Sequence, residues 1–154
     1  MLEVGKPFSA FSLPGQDDKP HDLKDYTGKW LVVYFYPKDN SSGCSMEAQS
    51  FALLFNDFAK NQAGIVGVSP DSIKSHCNFT AKYNLPFTLL SDPEHILLSA
   101  AGVWRQKKMY GREYMGVART TALLDPQGIV RALWPKVKVK GHAQEVYDKF
   151  KELK

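Results

Sequence analysis

Two of the 154 residues are cysteines, and the first of them, Cys44, closes the run Tyr36-Pro37-Lys38-Asp39-Asn40-Ser41-Ser42-Gly43-Cys44 just ahead of an apolar segment with helical spacing. A thiol in the first turn of a helix faces unpaired backbone N–H groups and the positive end of the helix dipole, and both favour thiolate over thiol. Thiolate is the nucleophilic form, so attack by sulfur is the chemistry to expect. Ser41, Ser42 and Gly43 place small residues, a hydroxyl and backbone freedom beside it, and Pro37 restricts the loop as it leaves the preceding strand. On local context alone, a second reading of Cys44 as a small buried hydrophobe stays open.

The flanking elements are legible from periodicity. Leu31 to Tyr36 is β-branched and aromatic without a polar break, which predicts a strand buried on both faces, central in its sheet. Phe51, Leu54, Phe55 and Phe58 recur at helical spacing and predict a helix from about Cys44 to Lys60. Ile65 to Ser69 reads as the next strand. Ser69 as N-cap and Pro70 as first residue open a helix that ends near Asn84, with Ile73, Cys77, Thr80 and Ala81 on one side. Thr88–Leu90 is a short strand, Pro93 to Ala101 a short helix stopped by Gly102, and Arg119 to Leu124 another strand. Asp125-Pro-Gln-Gly128 turns the chain into a strand from Ile129 to Trp134, and a last amphipathic helix starts at about His142 with Val146, Tyr147 and Phe150 on its apolar face. Phe8 to Leu23 is expected to add an N-terminal hairpin. Strands that alternate with helices and end in a hairpin imply one α/β domain over residues 1–154, a mixed central sheet flanked by helices. Ligands of such sheets gather outside the carboxyl ends of the strands, and the loop after Tyr36 is such a place.

Composition narrows the alternatives. A chain of 154 residues with 44% hydrophobic and 23% charged residues builds its own core without staples. Two cysteines in such a chain point to catalysis or redox sensing rather than a disulfide scaffold. The N-terminal MLEVGKPFSAF has no secretory pattern, and the longest strongly apolar run is too short to span a membrane, so a cytoplasmic protein with no membrane partner is expected. Charge is uneven: residues 105–154 carry twelve Lys+Arg against five Asp+Glu, a net of +7, while the first 104 hold eight against eleven, a net of −3. The densest basic point, Lys136-Val-Lys-Val-Lys140, reads as a strand or sheet edge with a solvated face. Nucleic-acid binding is not expected, since recognised motifs and interleaved aromatics are missing.

The run from Pro37 to Cys44 matches P-x-x-x-[ST]-x-x-C, the signature of peroxiredoxins. Further along, Gly67-Val-Ser-Pro-Asp-Ser72, Leu85-Pro-Phe-Thr-Leu-Leu-Ser-Asp92, Val103 to Gly111, Tyr114-Met-Gly116, Arg119-Thr-Thr121 and Lys136 to His142 resemble the bacterioferritin-comigratory, or Q-type, subfamily. The resemblance implies a thioredoxin-like three-layer fold and reduction of hydrogen peroxide and alkyl hydroperoxides, with no cofactor and no metal. Carried onto matching positions, it makes Cys44 the peroxidatic sulfur and Ser41 a hydrogen-bond partner of the substrate. Arg119 would stabilise the thiolate and the charge developing along the breaking O–O bond, and Pro37 would shield the pocket. Read without it, Arg119 is a surface or structural arginine and Ser41 a turn residue. Glu47 occupies a position commonly acidic in the subfamily, and equally a helix N-terminal charge.

One departure bears on the cycle. Many subfamily members carry a second cysteine five residues after the first, where this chain has Gln49. Cys77 is then the only candidate for a resolving thiol, although relatives with a resolving cysteine in the next helix carry it at the position of Thr80. The resemblance further implies recycling by thioredoxin or another thiol reductant, and a monomer. A buried structural thiol remains the other reading of Cys77. Among rivals, a disulfide exchanger needs C-x-x-C and meets Glu47 instead, a cysteine hydrolase needs a histidine partner, and zinc binding lacks paired ligands. A peroxide sensor that relays oxidation to a partner protein uses the same thiol and stays as the alternative. The aromatics from Trp104 to Met115, around Lys107-Lys108, are expected either to line an apolar entrance or to pack in the core.

Overall fold

A computed structural model describes residues 1–154. Its centre is a five-stranded sheet in the order β5-β4-β3-β8-β9, formed by β3 (Trp30–Phe35), β4 (Ala63–Ser69), β5 (Thr88–Ser91), β8 (Thr120–Leu124) and β9 (Val130–Trp134). β3 pairs with β4 and β4 with β5 in parallel, whereas β8 runs antiparallel to both β3 and β9. The N-terminal hairpin is present as β1 (Ser12–Pro14) and β2 (Pro20–Asp22), followed by a 3-10 turn at Leu23–Tyr26.

Strand alternation divides the core into two layers. Val32, Tyr34 and Tyr36 pack into a cluster with Phe51, Phe58, Phe79, Val146 and Phe150, beneath α1 (Ser42–Lys60), α2 (Ile73–Tyr83) and α4 (His142–Leu153). Leu31, Val33 and Phe35 point the other way, into a cluster closed by Phe8, Leu97, Leu98, Val103 and Val117, with α3 (Ile96–Ala100) above it. The continuous apolar run of β3 therefore reflects burial on both faces. No helix is long and apolar enough to cross a membrane.

Four local expectations are corrected. Helix α2 starts at Ile73 with Ser72 as N-cap, its hydroxyl accepting from the Ser75 N–H. Ser69 stays in β4, its hydroxyl donated to Asp71. The inward face of α2 is His76 and Phe79, and Cys77 is exposed, so the buried-thiol reading of Cys77 falls. Trp104 to Val117 forms a hairpin of its own, β6 (Trp104–Met109) and β7 (Arg112–Val117), paired only with itself. Met109, Tyr110, Tyr114 and Met115 are exposed on it and do not pack in the core, while Trp104 stacks on His95 at 3.7 Å. Lys136 to Lys140 is a loop rather than a strand; the Val137 N–H donates to the Arg119 carbonyl, which ties that loop to the start of β8.

Gly67 marks how tightly the helix-covered face is filled. A Cβ there would stand 2.8 Å from Cζ of Tyr34 and 2.9 Å from Cδ2 of Leu89; Tyr34 cannot yield, being stacked on Phe51 with ring centroids 4.9 Å apart. Gly67→Ala is expected to destabilise the fold by about 1–3 kcal/mol through overpacking. Urea unfolding would measure it, and an unchanged midpoint would contradict this packing account.

Candidate active site

The site forms where two distant segments end side by side. Phe35 of β3 pairs with Thr120 of β8, so the chain leaves β3 through Tyr36 at the same end of the sheet at which Arg119 leads into β8. The loop from Pro37 then brings in α1, capped by Ser41: the Cys44 N–H donates to Ser41 Oγ at 3.4 Å, and the Ser41 hydroxyl donates to the Lys38 carbonyl at 3.2 Å. Cys44 is thus in the first helical turn. Cys44, Glu47, Ala48 and Phe51 are all buried on this helix, because spacings of three and four keep them on one face, toward the sheet.

Arg119 joins the helix face to the strand end. Its Nη2 donates to Cys44 Sγ at 3.2 Å and its Nη1 to Glu47 Oε1 at 2.7 Å. Cys44 is 1% exposed, the Glu47 side chain 1% and the Arg119 side chain 19%, so the guanidinium spans from solvent to two buried partners. Gly43 makes room for it: a Cβ at that position would lie 3.2 Å from Nη2. Burial works against the Arg119 charge, yet Glu47 and Cys44 together outweigh it and hold its pKa above the usual arginine value.

Glu47 is less well served. Burial pushes its carboxyl up to about 7, with the Arg119 charge and hydrogen bond only partly offsetting that. Its Oε2 is buried without a hydrogen-bond partner. A carboxyl held this way exchanges its proton near neutral pH, and a proton on it leaves more of the guanidinium charge for the sulfur. The acidic position visible in sequence is therefore a buried member of the site and not a helix N-terminal surface charge. A further cation, Lys107 of β6, is half-buried; burial lowers its pKa, Arg119 adds to that, and Cys44 opposes it.

The other candidates separate. Pro37 is half-buried at the start of the loop. Cys77 is a free thiol on the exposed side of α2, donating to the Gln16 carbonyl at 2.9 Å, and Cys44 is free as well. No histidine bonds to Cys44: His76 is bonded to Asp39, His142 to Thr121 and Glu145, and His21 to Asp17, while His95 stacks on Trp104. Burial lowers the pKa of His142, which suits a structural ring. A thiol with an arginine but no imidazole partner lacks the general base of a cysteine hydrolase. The cavity of about 220 Å³ lined by Leu23, Tyr26, Leu31, Leu124 and Pro126 lies at the opposite end of β3 and takes no part.

Comparison with known proteins agrees with this geometry. The AhpC/TSA family matches residues 4–133. Peroxiredoxin Bcp of Bacillus subtilis is 45% identical over 152 residues, 99% of this chain and 97% of that protein. A mutant of Xylella fastidiosa PrxQ superposes with a TM-score of 0.94 at 40% identity, covering 99% of this chain and 97% of the other. The Xanthomonas campestris bacterioferritin comigratory protein, whose structures address its alkyl peroxide reduction activity, superposes with a TM-score of 0.88 at 43% identity, covering 92% and 90%.

The Glu47 carboxyl has a signature in stability. A folded-state value raised from the ordinary 4.5 to about 7 means that its contribution is complete below 4.5 and is lost as pH rises through about 7. Chemical unfolding of the wild type and Glu47→Gln across that window is expected to show the wild type losing stability relative to the variant as pH rises. Parallel curves would contradict the assignment.

Proposed function

The chain belongs to the AhpC/TSA family, as a peroxiredoxin of the Bcp type, and on that footing we propose that Cys44 is the sulfur that reduces hydrogen peroxide and organic hydroperoxides, with Cys77 resolving the oxidised form and thioredoxin restoring it. The chain is a thiol peroxidase. The contact that carries the assignment to Cys44 is the guanidinium of Arg119 against its sulfur at 3.2 Å.

The Cys44 thiolate attacks one peroxide oxygen, the O–O bond breaks, and the departing alkoxide or hydroxide takes up the proton that the thiol gave away. Sulfur is oxidised to sulfenic acid and the peroxide reduced to alcohol or water. Arg119 holds a fixed positive charge beside both the sulfur and the oxygen that gains charge as the bond stretches, which acts mainly in the transition state. Ser41, turning its hydroxyl from the Lys38 carbonyl, offers the peroxide a hydrogen bond, and Pro37 limits the entry of water. The alkyl peroxide activity of the Xanthomonas campestris relative supports organic hydroperoxides as substrates.

Sulfenic acid then condenses with the Cys77 thiol, forming the disulfide and releasing water. Disulfide geometry requires Cα atoms within about 7 Å, and Cys44 starts buried in the first turn of α1 while Cys77 starts on the exposed side of α2, bonded to Gln16. Resolution therefore requires the first turn of α1 and the segment around Cys77 to loosen. Thioredoxin reduces the disulfide in turn, the location is the cytoplasm, and the working form is a monomer.

Two variants test the cycle. Cys44→Ser is expected to abolish peroxide consumption, and peptide mapping after one equivalent of peroxide is expected to find Cys44 joined to Cys77 in the wild type. Normal thioredoxin-dependent turnover by Cys77→Ser would remove Cys77 from the mechanism and leave a one-cysteine enzyme. A single oxidation followed by cross-linking to another protein, without turnover, would favour the relay reading.

A further inference from the structure

Behind the loop that leads to Cys44 lies a buried polar cluster that the peroxide chemistry leaves unused. His76 Nδ1 is 2.7 Å from Asp39 Oδ2, with the two side chains 0% and 1% exposed, and His76 Nε2 is 3.0 Å from the Leu90 carbonyl oxygen. Asp39 also accepts from the Tyr36 hydroxyl at 2.6 Å and from the Ser75 hydroxyl at 2.8 Å. Its N–H donates to Asp71, whose carboxylate takes the Ser69 hydroxyl as well.

Counting donors and charges together favours an ion pair. Three groups donate to the Asp39 carboxyl, which suits the ionised form, an acceptor only. Neutral imidazole has one N–H, yet both ring nitrogens of His76 face oxygens that accept. With Asp39 ionised, only the imidazolium satisfies Asp39 and Leu90 together. Charge balance agrees: of the groups facing the ring, Asp39 and Asp71 are acidic, Tyr36 is a phenol whose Oη lies 3.5 Å from Nδ1, and no lysine or arginine is paired with either aspartate. A buried carboxylate without a cation is costly, and an imidazolium in contact supplies one.

The cluster ties together four elements. Asp39 lies in the loop between β3 and α1, Ser75 and His76 in α2 next to Cys77, Leu90 in β5, and Ser69 at the end of β4. We propose that His76 is a positioning residue for the Cys44 reaction: as an imidazolium it clamps the Pro37–Ser41 loop, through Asp39, to the helix that bears Cys77. The clamp holds the capped first turn of α1 in the form that receives peroxide, and it opens when Cys44 leaves its pocket. This rests on Cys44 being the reacting sulfur. The clamp favours the oxidation step and resists the step after it, a division that a residue serving stability alone would not produce.

The test begins with the intact wild-type protein, whose ¹⁵N spectrum is expected to show both His76 ring nitrogens protonated at neutral pH; a neutral tautomer would overturn the proposal. In a Cys77→Ser background, His76→Gln is expected to raise amide exchange in residues 37–47 roughly a hundredfold, as for loss of one member of a buried pair. Cys44 oxidation by hydrogen peroxide should slow by about tenfold, while reduction of the resulting sulfenic acid by dithiothreitol becomes faster. Unchanged exchange, or slowing of both steps, would overturn the clamp. Asp39→Asn and the double variant complete a cycle in which the second substitution is expected to add little to the first; simple additivity counts against it. If Cys44 is not the reacting sulfur, Cys44→Ser retains activity whatever the spectrum and the exchange show, so the two failures are distinguishable.

Discussion

A single guanidinium between a sulfur and a carboxylate is the constraint on which the arrangement depends. Arg119 reaches across 75 residues of sequence to Cys44, and its charge meets two buried groups that each favour it in ionised form. Glu47 holds the guanidinium in the plane that aims Nη2 at the sulfur, but burial penalises the carboxylate that does so. The cost of desolvation thus falls on the acid, and the arginine remains charged throughout the neutral range. In the proposed reaction, a peroxide beside Nη2 meets a cation already fixed in place, with no reorganisation at the moment the O–O bond breaks.

The fold supplies that geometry by bringing an antiparallel strand into a sheet that otherwise starts with parallel crossovers. β8 lies antiparallel to β3, so its beginning coincides with the end of β3, and the loop into α1 is short enough to set the helix start over the same point. Small residues complete the fit, since Gly43 admits the guanidinium and Ser41 caps the turn that carries the thiol. The same short loop is held from its other side through Asp39. The loop thereby sets the start of the helix that carries Cys44 and is itself held through Asp39.

How much of this was legible in sequence depended on whether the information was local. β3 and α1 follow from apolar spacing, and the position of Cys44 in a first helical turn follows from the Pro37 to Gly43 run. The antiparallel β8–β9 pair is also legible, from the turn at Asp125 to Gly128, and the N-terminal hairpin falls within the Phe8 to Leu23 segment expected to form one. Arg119 has no local mark: without family resemblance it reads as a surface or structural arginine, because both its partners are remote in sequence. Neither His76 nor Asp39 sits in a local motif, since their pairing exists only in three dimensions. Ser69 and Ser72 are both plausible caps, and the choice was made by Asp71 taking up the Ser69 hydroxyl. β6 and β7 carry few β-branched residues and mostly polar faces, so a strand pattern was invisible there, whereas alternating lysine and valine at 136–140 imitated one.

The most direct examination of the Arg119 contact is a single-turnover measurement of Cys44 oxidation by a hydroperoxide in the wild type and in Arg119→Met, with circular dichroism confirming that the fold is retained. If the guanidinium stabilises the sulfur and the leaving oxygen, the second-order rate constant falls by roughly 10²–10³, the usual loss when one fixed charge-stabilising donor is removed. A rate within about twofold of the wild type would show that the 3.2 Å contact does not contribute to the reaction.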